Sequence, residues 1–318
     1  MTDRAAITAA AAALAGRVRR TPVLTLPAGD LFASAPLTLK LELVQHTGSF
    51  KPRGAFNRIL AAQAAGDPAL AGGVIAASGG NHGAAVAYAA QALGLAAEIF
   101  VPEPTPAAKQ ARIAAYGARL VATGADYAAA LAASRERQRA TGALAVHAYD
   151  DAAVIAGQGT VGAELAAQAP DLTHVLVAAG GGGLLAGIAA WYAGTVSVIG
   201  VEPESCPTLH AARAAGRPVP VATGGIAADS LGAREAGTLV LPIVAAHVAR
   251  LLLVPDAAIA AARALLWDRL RLLTEPGGAT ALAALLSGAF VPPLGARVGV
   301  VLCGANTGAL PEPGRVSV

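Results

Sequence analysis

Between residues 74 and 147 the chain alternates short apolar runs with longer helix-like ones, and this rhythm leaves few folds open. Residues 74–77, 97–101, 119–122 and 143–147 predict strands; residues 81–93, 106–116 and 127–139 predict the helices between them. Strands joined through a helix run parallel, because a crossover of that length brings the chain back in the same direction. A second series follows: helix 155–169, strand 175–178, helix 184–192, strand 197–201, helices 207–215, 257–272 and 278–286, and a last strand at 297–302. Residues 218–237 read as loop. The N-terminal part predicts a helix capped by Thr2 or Asp3 and ended by Gly16, a loop after Pro22, and a strand at 37–43. A helix then runs from Lys51 to about Ala65. The class is α/β. Gly66-Asp67-Pro68 and Gly72-Gly73 mark a crossing into a small block at 69–145.

With 318 residues the chain can hold one large or two modest domains. A net charge of +3 without a dense basic run gives no sign of a nucleic-acid partner, and Arg17-Val18-Arg19-Arg20 is too short to be one. Two cysteines, Cys206 and Cys303, have no metal-ligand spacing and suit a reducing cytoplasm. The six histidines show no ligand spacing either. Asp3 near the start argues against a signal peptide. The uncharged span 175–201 has the length of a membrane helix, but four consecutive glycines break it into strand, turn, helix and strand.

The chain carries three lysines. Lys40 lies in an alternating strand pattern that predicts outward charges, and Lys109 in a polar helical turn; both read as surface. Lys51 instead follows Phe50 and precedes Pro52 at a helix start, where the positive end of the helix dipole favours a neutral, nucleophilic amine. Gly180-Gly181-Gly182-Gly183, between a strand and a helix, can aim several backbone N–H groups at one phosphate. Taken alone, Gly181, Gly183 and Ala186 followed by Glu202 also satisfy a nicotinamide-dinucleotide fingerprint. That reading leaves Lys51 and the turn Ser78-Gly79-Gly80-Asn81-His82-Gly83 without a task.

These segments, with Ile155-Ala156-Gly157-Gln158-Gly159-Thr160 and Cys303-Gly304-Ala305-Asn306, occur in an order that strongly resembles one enzyme group. It is the pyridoxal-phosphate enzymes of the tryptophan-synthase-beta fold (fold type II), in the threonine/serine dehydratase and serine racemase branch. The resemblance spans about residues 20–306. It implies a two-domain fold, with residues 1–68 and 146–318 forming a large cofactor domain and 69–145 a small inserted one. It implies pyridoxal 5'-phosphate bound covalently by Lys51, which then acts as general base on the alpha proton. Phe50 would pack on a face of the ring and Asn81 would bond its phenolic oxygen. Gly180, Gly181, Gly182, Gly183 and Leu184 would hold the phosphate, and Cys303 would face the ring nitrogen. Ser78, Gly79, Gly80 and His82 would hold the substrate carboxylate. Glu275, in a block resembling one that lines the cofactor, would stand behind these groups or be a helix-start charge.

The resemblance also implies a small amino-acid substrate and a homodimer. The departures from its pattern narrow the chemistry. Cys303 replaces a serine or threonine; a thiol is a weak donor that favours rapid loss of a beta substituent. Gly79 stands where related racemases carry a serine, which favours elimination over racemisation. Glu202 matches a cation ligand of metal-dependent relatives, but its expected aspartate partner is Thr208, so a metal is not expected. Ser230 replaces a glycine and would narrow the substrate pocket. The expected activity is dehydration and deamination of a 3-hydroxy amino acid such as L-threonine or L-serine. The alternatives are a serine racemase, a hydroxyaspartate or phenylserine dehydratase, a nicotinamide-dependent oxidoreductase, and a binding protein without turnover. The short run after Asn306 leads us to expect no C-terminal regulatory domain and no feedback inhibition by isoleucine through one.

Overall fold

The computed structural model describes residues 2–32 and 35–311. Asp3 caps α1 (Arg4–Leu14) by accepting from the Ala6 N–H. β1 (Val23–Leu26), enclosed by Pro22 and Pro27, pairs antiparallel with β2 (Leu37–Leu41). After α2 (Lys51–Ala64) comes the alternating block: β3 (Val74–Ala77), α3 (Asn81–Ala92), β4 (Ala97–Val101), α4 (Ala107–Ala114), β5 (Arg119–Ala122), α5 (Tyr127–Thr141) and β6 (Leu144–Ala145). The remainder runs α6 (Ala152–Gln168), β7 (His174–Ala178), α7 (Gly183–Tyr192), β8 (Ser197–Pro203), α8 (Thr208–Ala215), α9 (Ala228–Leu231) and α10 (Val240–His247). It closes with β9 (Val248–Val254), α11 (Asp256–Leu270), α12 (Pro276–Leu286) and β10 (Val298–Leu302).

Two sheets result. The smaller has the order β5-β4-β3-β6 and is wholly parallel. The larger has the order β1-β2-β10-β7-β8-β9 and is parallel except at its β1 edge. Each has its own apolar core: Leu39, Val177, Ile188, Val201 and Val300 in the larger, Val74, Val86, Ile99 and Ile113 in the smaller. Phe56 and Ile59 turn one side of α2 into the smaller core. Its other side crosses α6 closely, and a Cβ on Gly157 would come within 2.5 Å of the Arg53 carbonyl oxygen. The Gly157 segment, which had no task in the sequence, therefore sets where α2 can lie. Among the described residues no helix is long and apolar enough to cross a membrane.

Three sequence expectations change. Lys40 is fully buried in β2 instead of facing outward. Its amine donates to the Thr21 carbonyl (2.8 Å), Glu164 (2.7 Å) and Gln168 (2.9 Å), which compensates its removal from water. The expected strand at 143–147 pairs only at Leu144–Ala145. α10, β9 and the antiparallel β1 were not expected, and β9 forms the far edge of the larger sheet.

Candidate active site

The expected site residues gather where strands end and helices begin. Ser78 follows β3, Gly180 follows β7 and Cys303 follows β10, while Lys51, Asn81 and Gly183 open α2, α3 and α7. This is the edge of parallel sheets where ligands bind, since helix N-termini with free N–H groups point into it.

Lys51 reaches this edge because its helix start is tied to β10: the Phe50 N–H donates to the Cys303 carbonyl at 3.2 Å. Its Nζ donates to the Ala148 carbonyl at 2.9 Å and lies 5.1 Å from the Phe50 ring centroid. Desolvation lowers the amine's pKa to about 8, against weaker upward pulls from Cys303 and Glu275. About a tenth of the amine is therefore neutral at pH 7, far more than for a solvated lysine, and can act as a nucleophile.

Gly180, Gly181, Gly182, Gly183 and Leu184 are all buried. Among the described residues no acceptor meets their N–H groups. A buried donor without a partner is costly, and five in one turn at the start of α7 make a cradle for a dianion. Tyr149, the residue after Ala148, floors this cradle; a Cβ on Gly181 would sit 2.5 Å from its ring. The lysine amine and the glycine turn are thus joined through residues 148 and 149. The donor set fits a phosphorylated aldehyde, with an amine for the aldehyde and a nest of N–H groups for the phosphate.

In the second turn the Ser78 N–H donates to the Phe100 carbonyl (2.9 Å) and Gly80 N–H to Ser78 Oγ (3.2 Å). Gly79 lies against the loop before α4, and a Cβ there would meet Thr105 Cγ2 at 2.9 Å. His82 belongs to the motif, but its Nε2 faces the Val146 carbonyl at 2.8 Å. Burial, with Lys51 nearby, pushes its pKa down to about 3, so the ring is neutral and its Nε2 proton goes to backbone. His82 thus belongs to the turn through its place at the start of α3, and its ring nitrogen serves the backbone.

Asn81 donates through Nδ2 to Glu275 Oε1 at 2.6 Å. Glu275 stands at the N-cap of α12, but its carboxyl turns into the site, where burial pushes its pKa up to about 7. Cys303 is buried with Sγ 3.5 Å from the Gly277 carbonyl, and burial raises its thiol far above the ordinary range. It is therefore a neutral donor. Ser230 Oγ lies so close to Gly277 that a Cβ there would overlap it. Beside it Asp229 forms an ion pair with Lys109 of α4, so Lys109 is engaged across the two sheets.

Glu202 is not exposed, and among the described residues it has no salt bridge. It is buried, and its carboxylate accepts from the N–H groups of Leu209 (2.7 Å) and His210 (2.8 Å) at the start of α8. Burial raises its pKa to about 8 despite those bonds. Its two oxygens thus serve the start of α8, and the Thr208 hydroxyl donates to the Ala233 carbonyl. Among the described residues no three His, Cys, Asp or Glu side chains could hold a metal ion.

The sequence did not single out Ala148, Tyr149 or Thr105, because one acts through its carbonyl and the others through shape. Ser49 was quoted only within its motif, yet its Oγ is buried without a partner. Asn306 was also quoted without a role, and it bonds Asn81.

The profile of the Pyridoxal-phosphate dependent enzyme family matches residues 14–304. The chain is 40% identical to L-threonine ammonia-lyase of Geobacter sulfurreducens, over 91% of this chain and 72% of that one. It is 38% identical to phenylserine dehydratase of Ralstonia pickettii, over 96% and 94%. Maize serine racemase superposes with a TM-score of 0.90 at 34% identity, covering 96% of this chain and 94% of that one. The threonine deaminase of T.th. gives 0.87 at 38%, covering 96% and 98%.

Proposed function

The chain belongs to the pyridoxal-phosphate dependent enzyme family, and we propose that within it the protein is an ammonia-lyase acting on 3-hydroxy amino acids such as L-threonine or L-serine. Pyridoxal phosphate is its cofactor, and the residues at the strand ends fit it. The observation that carries the reading is the desolvated Lys51 amine joined through Ala148 and Tyr149 to five unpartnered N–H groups.

Once bound, the cofactor supplies an aldehyde for amine capture and a ring that withdraws electrons from the alpha carbon. Lys51 would hold the aldehyde, with Phe50 beside it. The N–H groups of Gly180–Leu184 would hold the phosphate at the start of α7. Asn81 would meet the phenolic oxygen and the Cys303 thiol the ring nitrogen, to which a thiol gives only a weak hydrogen bond. At the turn of Ser78, Gly79 and Gly80 the substrate carboxylate would meet the Gly79 N–H, which has no acceptor among the described residues, and the Ser78 hydroxyl. Once freed by the substrate amine, Lys51 Nζ would be the base for the alpha proton. Loss of the 3-hydroxyl as water, followed by hydrolysis, gives a 2-oxo acid and ammonia.

Gly79 supports elimination over racemisation. A proton-transferring side chain at position 79 would have to displace Thr105. We further take residues 69–145 as a small inserted domain, and the protein as a cytoplasmic homodimer. The test is an absorbance spectrum of the loaded protein before and after L-threonine, L-serine and phenylserine, with 2-oxo acid and enantiomer composition measured alongside. Racemised amino acid without 2-oxo acid would move the reading to a racemase. A protein that takes up no pyridoxal phosphate would end it.

A further inference from the structure

A side-chain relay crosses the site from the turn before α2 to the start of α12. It begins at the carbonyl of Thr47, whose positive φ of 59° is rare for a residue with a Cβ. Asn306 Nδ2 donates to that carbonyl at 2.8 Å and to Asn81 Oδ1 at 2.5 Å, which uses both of its hydrogens. Asn81 Nδ2 gives one hydrogen to Glu275 Oε1 at 2.6 Å. Among the described residues its second hydrogen has no acceptor.

Both ends of the Asn81 amide are therefore fixed. Turned over, it would set its NH2 group against the Asn306 NH2 group, which the Thr47 carbonyl holds in place, and its oxygen against the ionised Glu275 carboxylate, exchanging two bonds for two repulsions. Resting on the reading of the site given above, we infer that Glu275 and Asn306 are positioning residues that hold Asn81 with an N–H, and never its oxygen, toward the phenolic oxygen of pyridoxal phosphate. The relay makes the site selective for a ligand that carries an acceptor at that position. It also gives Asn306, the last residue of the Cys303-Gly304-Ala305-Asn306 motif, a task that requires no contact with substrate. A donor fixed in place loses little entropy on binding, so its preference for an oxyanion is fully expressed.

The test compares two ligands on cofactor-free protein: pyridoxal phosphate and its 3-deoxy analogue, which lacks the phenolic oxygen. Their dissociation constants are measured by equilibrium dialysis for the wild type, Glu275→Ala and Asn306→Ala, with circular dichroism confirming the fold of each. The wild type is expected to favour pyridoxal phosphate by about tenfold or more, the range of a hydrogen bond to a charged oxygen. Each variant should bring that ratio to within about threefold of one, by weakening pyridoxal phosphate and leaving the analogue nearly unchanged. The two variants cut the relay at opposite ends, so a folding defect in one leaves the other to decide. No preference in the wild type, or a preference kept by either folded variant, overturns the inference. So does equal weakening of both ligands. Wild-type protein that binds neither ligand would instead overturn the reading of the cofactor site beneath it.

Discussion

Lys51 and Arg53 stand two residues apart on α2, both withdrawn from water, and the structure treats them in opposite ways. Every guanidinium hydrogen of Arg53 has a partner: Glu42 twice at 2.8 Å, Glu164 at 2.7 and 2.9 Å, the Thr160 hydroxyl at 3.1 Å and the Arg19 carbonyl at 3.2 Å. Burial alone would lower its pKa, but the Glu42 and Glu164 carboxylates raise it and keep the charge. Lys51 has one carbonyl partner and no carboxylate within salt-bridge distance among the described residues, and its pKa falls. A buried cation that is fully paired belongs to the frame. One left with spare donor capacity is held for a ligand, and the glycine turn repeats that lesson with backbone N–H groups.

The contrast breaks most sharply if the two residues are exchanged in importance. Lys51→Ala should reduce 2-oxo acid formation by about 10³-fold or more, since it removes both the covalent anchor and the base. Its urea midpoint should stay at or above that of the wild type, because a desolvated amine disappears. Arg53→Leu should do the reverse, lowering stability by about 3–5 kcal/mol in urea titration, because fully buried Glu42 loses both guanidinium bonds and Glu164 keeps only Lys40. If Arg53→Leu melted like the wild type, the buried cluster would be no frame, and the comparison would fail on that side.

How far the sequence could see follows the same division. Lys51, the glycine turn and the Ser78 turn were legible because their chemistry lies in residue types at a helix start, and the small parallel sheet because each strand is punctuated by turn residues. Lys40 was misread: alternation tells which side chains share a face, but a charge can enter a core when partners 124 and 128 residues away meet it. α10 and β9 escaped for a different reason. The helix ends at His247 and the strand begins at Val248, so no glycine or proline marks the change between them, and the one local signal, Pro242 in the first turn of the helix, was passed over. Glu202 matched two ligand patterns, neither adopted, and its actual task was not among those weighed, because a carboxylate after a strand is common to several sites. Only the fold shows that α8 starts beneath it. Tyr149 and Asn306 act through shape and amide orientation, which no local pattern records.

The next test sharpens the view that unpartnered donors are reserved. Pyridoxal phosphate at 100 times its dissociation constant should raise the stability of the cofactor-free protein by about 2.7 kcal/mol, provided the unfolded chain binds it poorly. Gly181→Ala should remove most of that gain, because the added methyl meets the Tyr149 ring and shifts the floor of the cradle. A full ligand-induced shift in that variant would mean that the phosphate lies elsewhere.

The smallest expected effect concerns pH, and it separates Lys51 from an ordinary lysine. The amine of the folded chain titrates near 8, against 10.5 for a free side chain. Covalent capture of the cofactor aldehyde needs the neutral amine, so its initial rate, trapped with borohydride and located by peptide mass, should climb about tenfold from pH 7 to 9 and level off. A free lysine would climb about a hundredfold over the same interval and go on rising. Stability follows the same proton. Between about pH 8 and 10.5 the unfolded chain holds a proton that the folded chain has released, so Lys51 makes stability rise with pH across that window. Glu275 acts in the opposite sense and lower: with its carboxyl raised from 4.5 to about 7, the folded chain holds the extra proton, and stability falls as pH rises between those values. Lys51→Ala should flatten only the upper slope and Glu275→Gln only the lower one. A capture rate that keeps rising beyond pH 9 would show that Lys51 is solvated like any surface amine, and its contrast with Arg53 would reduce to a difference in partners alone.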